Sequence, residues 1–267
     1  MPGSPSSPTP HHDLITGLFK LYDEIALPAF QHVAAETKAD GTVVTQVDRE
    51  TSDKLSAILK RHTPDYGIIS EEEAEPHLPD AEWQWVMDPL DGTASFTRGY
   101  PVWGLGLGLM HRNQPVEGYL HFPVIGESYR HDGRGFTFNG GSVPPLEDTA
   151  LPDTRNVLLD SSLHKRLETF APFQDYKIRI FGSNLYHMAA MAMGRAEVMV
   201  CGRMKIWDVV AALPMTRAQG LVECHVDGSP LDLSAMTVEN GFRTGEPLVI
   251  GPREKVNRLV EALNGNT

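Results

Sequence analysis

The chain has 267 residues, 41% of them hydrophobic and 22% charged, and a formal net charge of -12. That is enough for one large or two small domains with ample core, in the composition range of an ordinary soluble globule. So negative a chain is repelled at long range by nucleic-acid backbones and anionic bilayers, which excludes a nucleic acid polymer or a membrane as its main partner; a small phosphorylated metabolite stays compatible, because local cations and helix ends override the global sign.

Two cysteines, Cys201 and Cys224, lie far apart without a zinc-type spacing, which fits a reducing, cytoplasmic setting. Residues 1–11 read as a Pro/Ser-rich disordered leader without the apolar segment of a signal peptide, and no run is long and apolar enough to span a membrane. From Asp13 to about Ala35, Leu14, Ile15, Leu18, Leu21, Ile25 and Val33 recur at helical spacing, with Pro28 expected to kink the helix. Val43 to Val47 reads as a short strand. Thr45 or Asp48 then caps a helix over Glu50–His62, so a polar cluster separates two helices, serving either as simple capping or as part of a site.

Gly67–Ser70 predicts a buried strand that runs into Glu71-Glu72-Glu73, either a solvated acidic face or a cluster held by a cation. The apolar run Trp83–Met87 does the same, feeding into Asp88-Pro89-Leu90-Asp91-Gly92-Thr93. Pro89 is expected to end the strand and Asp91 to cap a helix whose first amides, at Gly92 and Thr93, point outward to an anion. The same residues also make an ordinary surface turn. If the two strands are neighbours, Glu71 and Asp88 meet at one rim, where a divalent cation relieves their repulsion, and Mg²⁺ favours such a mix of carboxylates and phosphate oxygens.

Val102–Met110 alternates glycine with apolar residues, the pattern of a strand closely approached by other backbones. Strands at Gly118–Phe122, Glu127–His131 and Phe136–Phe138 complete an antiparallel meander. The Pro-containing stretch Ser142–Thr154 is the candidate seam between an N-terminal α+β metal- and phosphate-binding half, residues 12–145, and a C-terminal α/β substrate half, residues 146–267. The second half predicts strands at Asn156–Asp160, Ile178–Phe181, Ala196–Cys201, Leu221–Val226 and Pro247–Gly251. Helices are expected over Leu185–Gly194 and Arg253–Leu263, with a further apolar helix opening at Asp208, which serves there as an N-cap or as one more acid of the site.

The series Lys38, Val44-Thr45, Asp48, Ser70-Glu71-Glu72, Asp88-Pro89-Leu90-Asp91-Gly92-Thr93, Phe96, Phe138-Asn139-Gly140 and Ile206-Trp207-Asp208 resembles the inositol monophosphatase-like superfamily of Mg²⁺-dependent, lithium-sensitive phosphatases. The resemblance covers nearly all of the chain after the leader. It implies an α/β (α+β) fold, a layered αβαβα sandwich of the inositol monophosphatase/fructose-1,6-bisphosphatase type, and a homodimer. By the same resemblance Glu71, Asp88 and the Leu90 carbonyl hold one Mg²⁺, Asp88, Asp91 and Asp208 a second, and a third binds near Glu71. Thr93 with Asp48 then activates the attacking water, and the Gly92 and Thr93 amides hold phosphate. Ser183, Asn184, Arg203 and Lys205 are candidate substrate contacts or, equally, solvated loop residues. Two positions depart from the pattern: Ser70 stands where the family commonly has glycine, and Cys201 where inositol-specific relatives place a glutamate that binds ring hydroxyls. Arg98-Gly99-Tyr100-Pro101-Val102-Trp103 resembles the histidinol-phosphatase branch. Histidinol phosphate or an inositol phosphate is therefore the expected substrate, with a 3'(2'),5'-bisphosphate nucleotidase, a sugar phosphatase or a non-catalytic metal- and phosphate-binding regulatory module as alternatives.

Overall fold

The computed structural model describes residues 11–32, 34–37, 43–73, 75–146, 155–163 and 175–264. Residues 1–10 of the expected leader, Lys38, and most of the expected seam between the halves fall outside them. In chain order the elements are α1 (His12–Ala29), β1 (Ala35–Thr37), β2 (Val43–Thr45), α2 (Gln46–His62), β3 (Gly67–Ser70), β4 (Trp83–Asp91), α3 (Thr93–Arg98), β5 (Gly104–His111), β6 (Gln114–Phe122), β7 (Glu127–His131), β8 (Phe136–Phe138) and β9 (Gly141–Ser142). There follow β10 (Asn156–Leu159), β11 (Lys177–Arg179), α4 (Asn184–Ala192), β12 (Val198–Cys201), α5 (Ile206–Val209), α6 (Leu213–Ala218), β13 (Val222–His225), β14 (Leu248–Gly251) and α7 (Arg253–Asn264).

β3 to β9 form one sheet in sequence order, β3 parallel to β4 and the remainder an antiparallel meander. A second sheet has the order β11-β10-β12-β14-β13, with its first three strands parallel. Period-two alternation sends successive side chains of each strand into different cores. On β4, Trp85 and Met87 pack with Ile15, Leu18, Tyr22, Leu55 and Leu59 of α1 and α2, while Val86 faces the opposite core with Met188 and Met191 of α4. On β12, Met199 joins that middle core while Val198 and Val200 pack with Val256 and Leu259 of α7. The layers are thus helix, sheet, helix, sheet, helix, as the resemblance implied.

The glycine alternation of β5 is what lets the middle layer sit so close. Leu105, Leu107 and Leu109 fill the outer core. On the other face, a Cβ at Gly106 would lie 2.2 Å from Leu185 Cδ1, and one at Gly108 2.6 Å from Val210 Cγ1 and 2.9 Å from the Ala211 nitrogen. The turn that carries Val210 and Ala211 therefore rests on bare backbone, and it divides the single apolar helix expected from Asp208 into α5 and α6.

Local departures from expectation have local causes. α1 stops at Ala29, with Pro28 in its last turn, so the proline ends the helix instead of kinking it. His11, assigned to the leader, is buried, with Nδ1 2.9 Å from Glu117 Oε2. β4 continues through Pro89 to Asp91, because a register shift between Asp88 and Asp91 relieves Pro89 of a ladder hydrogen bond. The cap of α3 is consequently Gly92, at φ 84° and ψ 33°, and not Asp91. A side chain there would be strained, and its Cβ would meet the Val102 carbonyl oxygen at 3.0 Å.

Candidate metal and phosphate site

Three chain segments deliver the acids: the end of β3, β4 and the first turn of α5. β3 and β4 are parallel, with Ser70 opposite Met87, and the Glu71 amide donates to the Met87 carbonyl at 3.2 Å. Glu71 and Asp88 therefore share one rim, as the sequence predicted for neighbouring strands. Asp91 lies three residues on, past the bulge of β4, and Asp208 sits in the first turn of α5 just beyond β12, its Oδ2 accepting from the Lys205 amide at 2.8 Å. One carboxylate oxygen each from Asp88, Asp91 and Asp208 lie within 4.8 Å of one another. Glu71 borders this trio without being one of the three.

Asp88 and Asp91 are 2% and 6% exposed, and burial makes their charged forms costly. Burial first, then the charges of Glu71, Asp91 and Asp208, hold Asp88 well above the usual carboxylate range. Asp91 is pushed up to about 6, chiefly by burial, against the hydrogen bonds it accepts. Asp208 is raised to about 7, again by burial first, with Asp91 and Asp160 adding repulsion. Buried like charges made only of carboxylate oxygen, with no thiolate or imidazole among them, suit a hard divalent cation such as Mg²⁺.

This electrostatic load makes a measurable prediction. Both Asp91 and Asp208 have folded-state values above the ordinary 3.8, so the stability they contribute is present below pH ~3.8 and is lost as pH rises through ~6 to ~7. The metal-free fold therefore carries an electrostatic penalty at pH 8 that is absent in acid. A saturating divalent cation removes that penalty. The rise in Tm on adding Mg²⁺ is expected to be larger at pH 8 than at pH 5.5, and equal increments at both would contradict the assignment.

Next to the acids stands a hydroxyl–carboxylate pair. Thr93 Oγ1 lies 3.1 Å from Asp48 Oδ1 and 2.9 Å from the Leu90 carbonyl oxygen. Asp48 is 1% exposed and its other oxygen accepts from the Thr45 amide at 2.7 Å and the Thr45 hydroxyl at 2.6 Å. Thr45 is the N-cap of α2 and Asp48 its partner in a capping box, so the carboxylate that closes the cap also holds the Thr93 hydroxyl. The Asp48 carboxyl is raised above the usual range, mainly by burial. A single Thr93 proton faces two acceptors, and when it rests on Asp48 the hydroxyl oxygen is free to accept from a water.

The residues proposed as substrate contacts distribute differently. Ser183 is 2% exposed and donates its hydroxyl to Asp91 Oδ2, while the amides of Asn184 and Leu185 donate to Asp91 at 3.3 and 3.0 Å. The start of α4 thus clasps an acid of the other sheet, with the Ser183 hydroxyl directed at Asp91. Arg203 is exposed, 3.9 Å from Glu246, and Lys205 lies 5.1 Å from the centre of the Trp207 ring. Cys201 is fully buried, its thiol directed at the Leu248 carbonyl. Ser70 is 2% exposed and its hydroxyl pairs with that of Ser52 at 2.8 Å, joining α2 to the end of β3 just before Glu71. The sequence carried no signal for that partner.

Along residues 15–257 the chain matches the sequence profile of the inositol monophosphatase family. It belongs to that family. Among curated relatives, an inositol-1-monophosphatase of Synechocystis is 29% identical over 204 residues, covering 73% of this chain and 70% of that protein. A histidinol-phosphatase of Chlorobaculum parvum is 30% identical over 193 residues, covering 69% and 73%. Among solved structures, an IMPase/NADP phosphatase complexed with Mg²⁺ and phosphate superposes with a TM-score of 0.79 at 20% identity, over 96% of this chain and 95% of that one; at that identity the likeness speaks for the fold alone. Family membership sets the activity class. The chain is a phosphoric monoester hydrolase acting on small phosphorylated substrates, in a family that depends on metal. No helix among the described residues is long and apolar enough to cross a membrane.

Proposed function

We propose that this family member is a Mg²⁺-dependent phosphomonoesterase that hydrolyses a small phosphorylated metabolite by attack of an activated water, with histidinol phosphate as its first candidate substrate. The observation that carries the reading is the meeting of Asp88, Asp91 and Asp208 within 4.8 Å beside the Thr93–Asp48 pair. Glu71, Asp88 and the Leu90 carbonyl would hold one ion, Asp88, Asp91 and Asp208 a second, and Glu71 a third. When bound, these ions supply the positive charge that makes water acidic and steadies the departing oxygen.

The chain's own groups do the rest. Thr93 Oγ1 accepts a proton from the attacking water as its own proton passes to Asp48, whose raised proton affinity suits it to receive one. Water's oxygen forms the new bond to phosphorus, the ester P–O bond breaks in line with it, the departing alkoxide takes a proton from solvent while Asp48 returns its own, and the Gly92 and Thr93 amides at the start of α3 hold the phosphoryl oxygens. From the family resemblance alone, we take the protein to be a cytoplasmic homodimer.

Substrate choice turns on position 201. A fully buried thiol occupied with the Leu248 carbonyl offers no acceptor to a polyol, which weighs against inositol phosphate. The histidinol-phosphatase relative and the stretch Arg98–Trp103 weigh for histidinol phosphate. Phosphate release with Mg²⁺ should be measured on histidinol phosphate, inositol 1-phosphate, fructose 1,6-bisphosphate and 3'-phosphoadenosine 5'-phosphate, with lithium as inhibitor. The expected result is lithium-sensitive release with kcat/KM at least roughly 10-fold higher for histidinol phosphate than for inositol phosphate. A reversed ratio would replace the substrate, and no release from any of the four would remove the reading.

A further inference from the structure

His187 lies one turn inside α4, is 1% exposed, and plays no part in the chemistry above. Its Nε2 accepts the Phe181 amide proton at 2.9 Å. Its Nδ1, equally buried, has no hydrogen-bond partner among the described residues. Burial lowers its proton affinity to about 4, against the opposing charge of Asp160, so the ring is neutral at pH 7, and an accepting Nε2 places the remaining proton on Nδ1.

A buried donor left unpaired is costly. A leucine would fill this space without that cost, so what the imidazole contributes is the acceptor at Nε2. The amide it holds stands two residues ahead of Ser183. From Phe181 the chain passes through Gly182, whose carbonyl oxygen would lie 3.3 Å from a Cβ at Gly92, to Ser183 and the first amides of α4, which together give Asp91 three donors. The His187 amide also donates to the Ser183 carbonyl at 3.1 Å. Backbone and ring of one residue therefore close both sides of the turn that clasps Asp91.

We propose that His187 is a positioning residue for the cation site: by accepting the Phe181 amide it fixes the turn that orients the Asp91 carboxylate. The proposal rests on the reading of Asp91 as a cation ligand. Groups that orient a ligand without touching the metal typically change metal affinity by ~10–100-fold when removed.

The test is Mg²⁺ binding to the full chain by calorimetry, without substrate, in wild type, His187→Leu and His187→Gln. Leucine removes the acceptor, and the glutamine oxygen restores one at the same reach. Mg²⁺ affinity is expected to fall about tenfold in His187→Leu and to stay within about threefold of wild type in His187→Gln. Wild-type affinity in His187→Leu, or equal losses in both variants, would overturn the proposal. Wild-type protein that gives no Mg²⁺ heat at all would instead remove the cation site itself. Should His187→Leu fail to fold, ¹⁵N imidazole spectra of the wild type decide. A neutral Nδ1–H tautomer with a hydrogen-bonded Nε2 at pH 7 supports the proposal, and an Nε2–H tautomer or an imidazolium ends it.

Discussion

Asp91→Asn is expected to lower Mg²⁺-dependent phosphate release by roughly 10³-fold or more. Two losses combine. The amide brings no charge to a site where Asp88, Asp91 and Asp208 meet within 4.8 Å, so the attraction for a divalent cation falls. It also breaks the match with α4. Asp91 accepts from the Ser183 hydroxyl and from the amides of Asn184 and Leu185, and an asparagine NH₂ turned toward any of these meets a donor with a donor. Turned the other way, it points two hydrogens at the cation. Stability should move in the opposite direction, because a buried carboxylate raised to about 6 and repelled by its neighbours is no longer charged. The metal-free variant is therefore expected to melt no lower than wild type at pH 8, and to gain little Tm from Mg²⁺. Phosphate release at the wild-type rate, with an unchanged Mg²⁺ response, would dismiss the cation site; a collapsed Tm would show Asp91 to be a structural group instead.

The parts of this site that were legible in the sequence are those whose physics is local. A strand running into acids, as at Ser70-Glu71 and Met87-Asp88, needs only β-formers followed by carboxylates, and pairing of β3 with β4 puts both on one rim. Thr45 and Asp48 were legible as a cap, because a capping box spans only four residues. The alternating glycines of β5 announced a close approach, though not that Leu185 and the turn at Val210 and Ala211 make it. What periodicity alone did not give was convergence. Asp208 reads equally as the start of a helix, and only the family resemblance put it beside Asp88.

Long-range hydrogen bonds were the least legible. Ser183 was named as a candidate substrate contact or, equally, a solvated loop residue. It is the cap of α4, accepting from the Tyr186 amide, and also a donor to a carboxylate 92 residues away. His187 gave no signal, since a single histidine within an apolar helix resembles core filler. Proline misled at position 89, where the bulge between Asp88 and Asp91 lets β4 run on past a residue that lacks a donor. In each case the missing information was the identity of a partner from another element.

Thr93→Ala is expected to reduce kcat by roughly 10²–10³-fold while leaving KM and the Mg²⁺ half-saturation close to wild type. The hydroxyl links Asp48 Oδ1, at 3.1 Å, with the Leu90 carbonyl, at 2.9 Å. In the proposed mechanism its removal ends proton transfer to Asp48, yet the amide of residue 93 is retained by alanine, so phosphate would lose no backbone donor. The Leu90 carbonyl also remains to serve an ion. Asp48 keeps the Thr45 amide and hydroxyl on Oδ2, so α2 keeps its cap and the fold should lose little. Thr93→Ser, which preserves the hydroxyl and loses only a methyl, should recover most of the rate, and Asp48→Asn, which blocks acceptance of the proton, should fall as far as Thr93→Ala. The double variant should then be scarcely slower than either single one, because two groups that act as a unit are lost once. Independent, multiplying losses would separate Thr93 from Asp48, and a rise in KM with kcat intact would make Thr93 a phosphate-binding group and leave the attacking water to be activated by other residues.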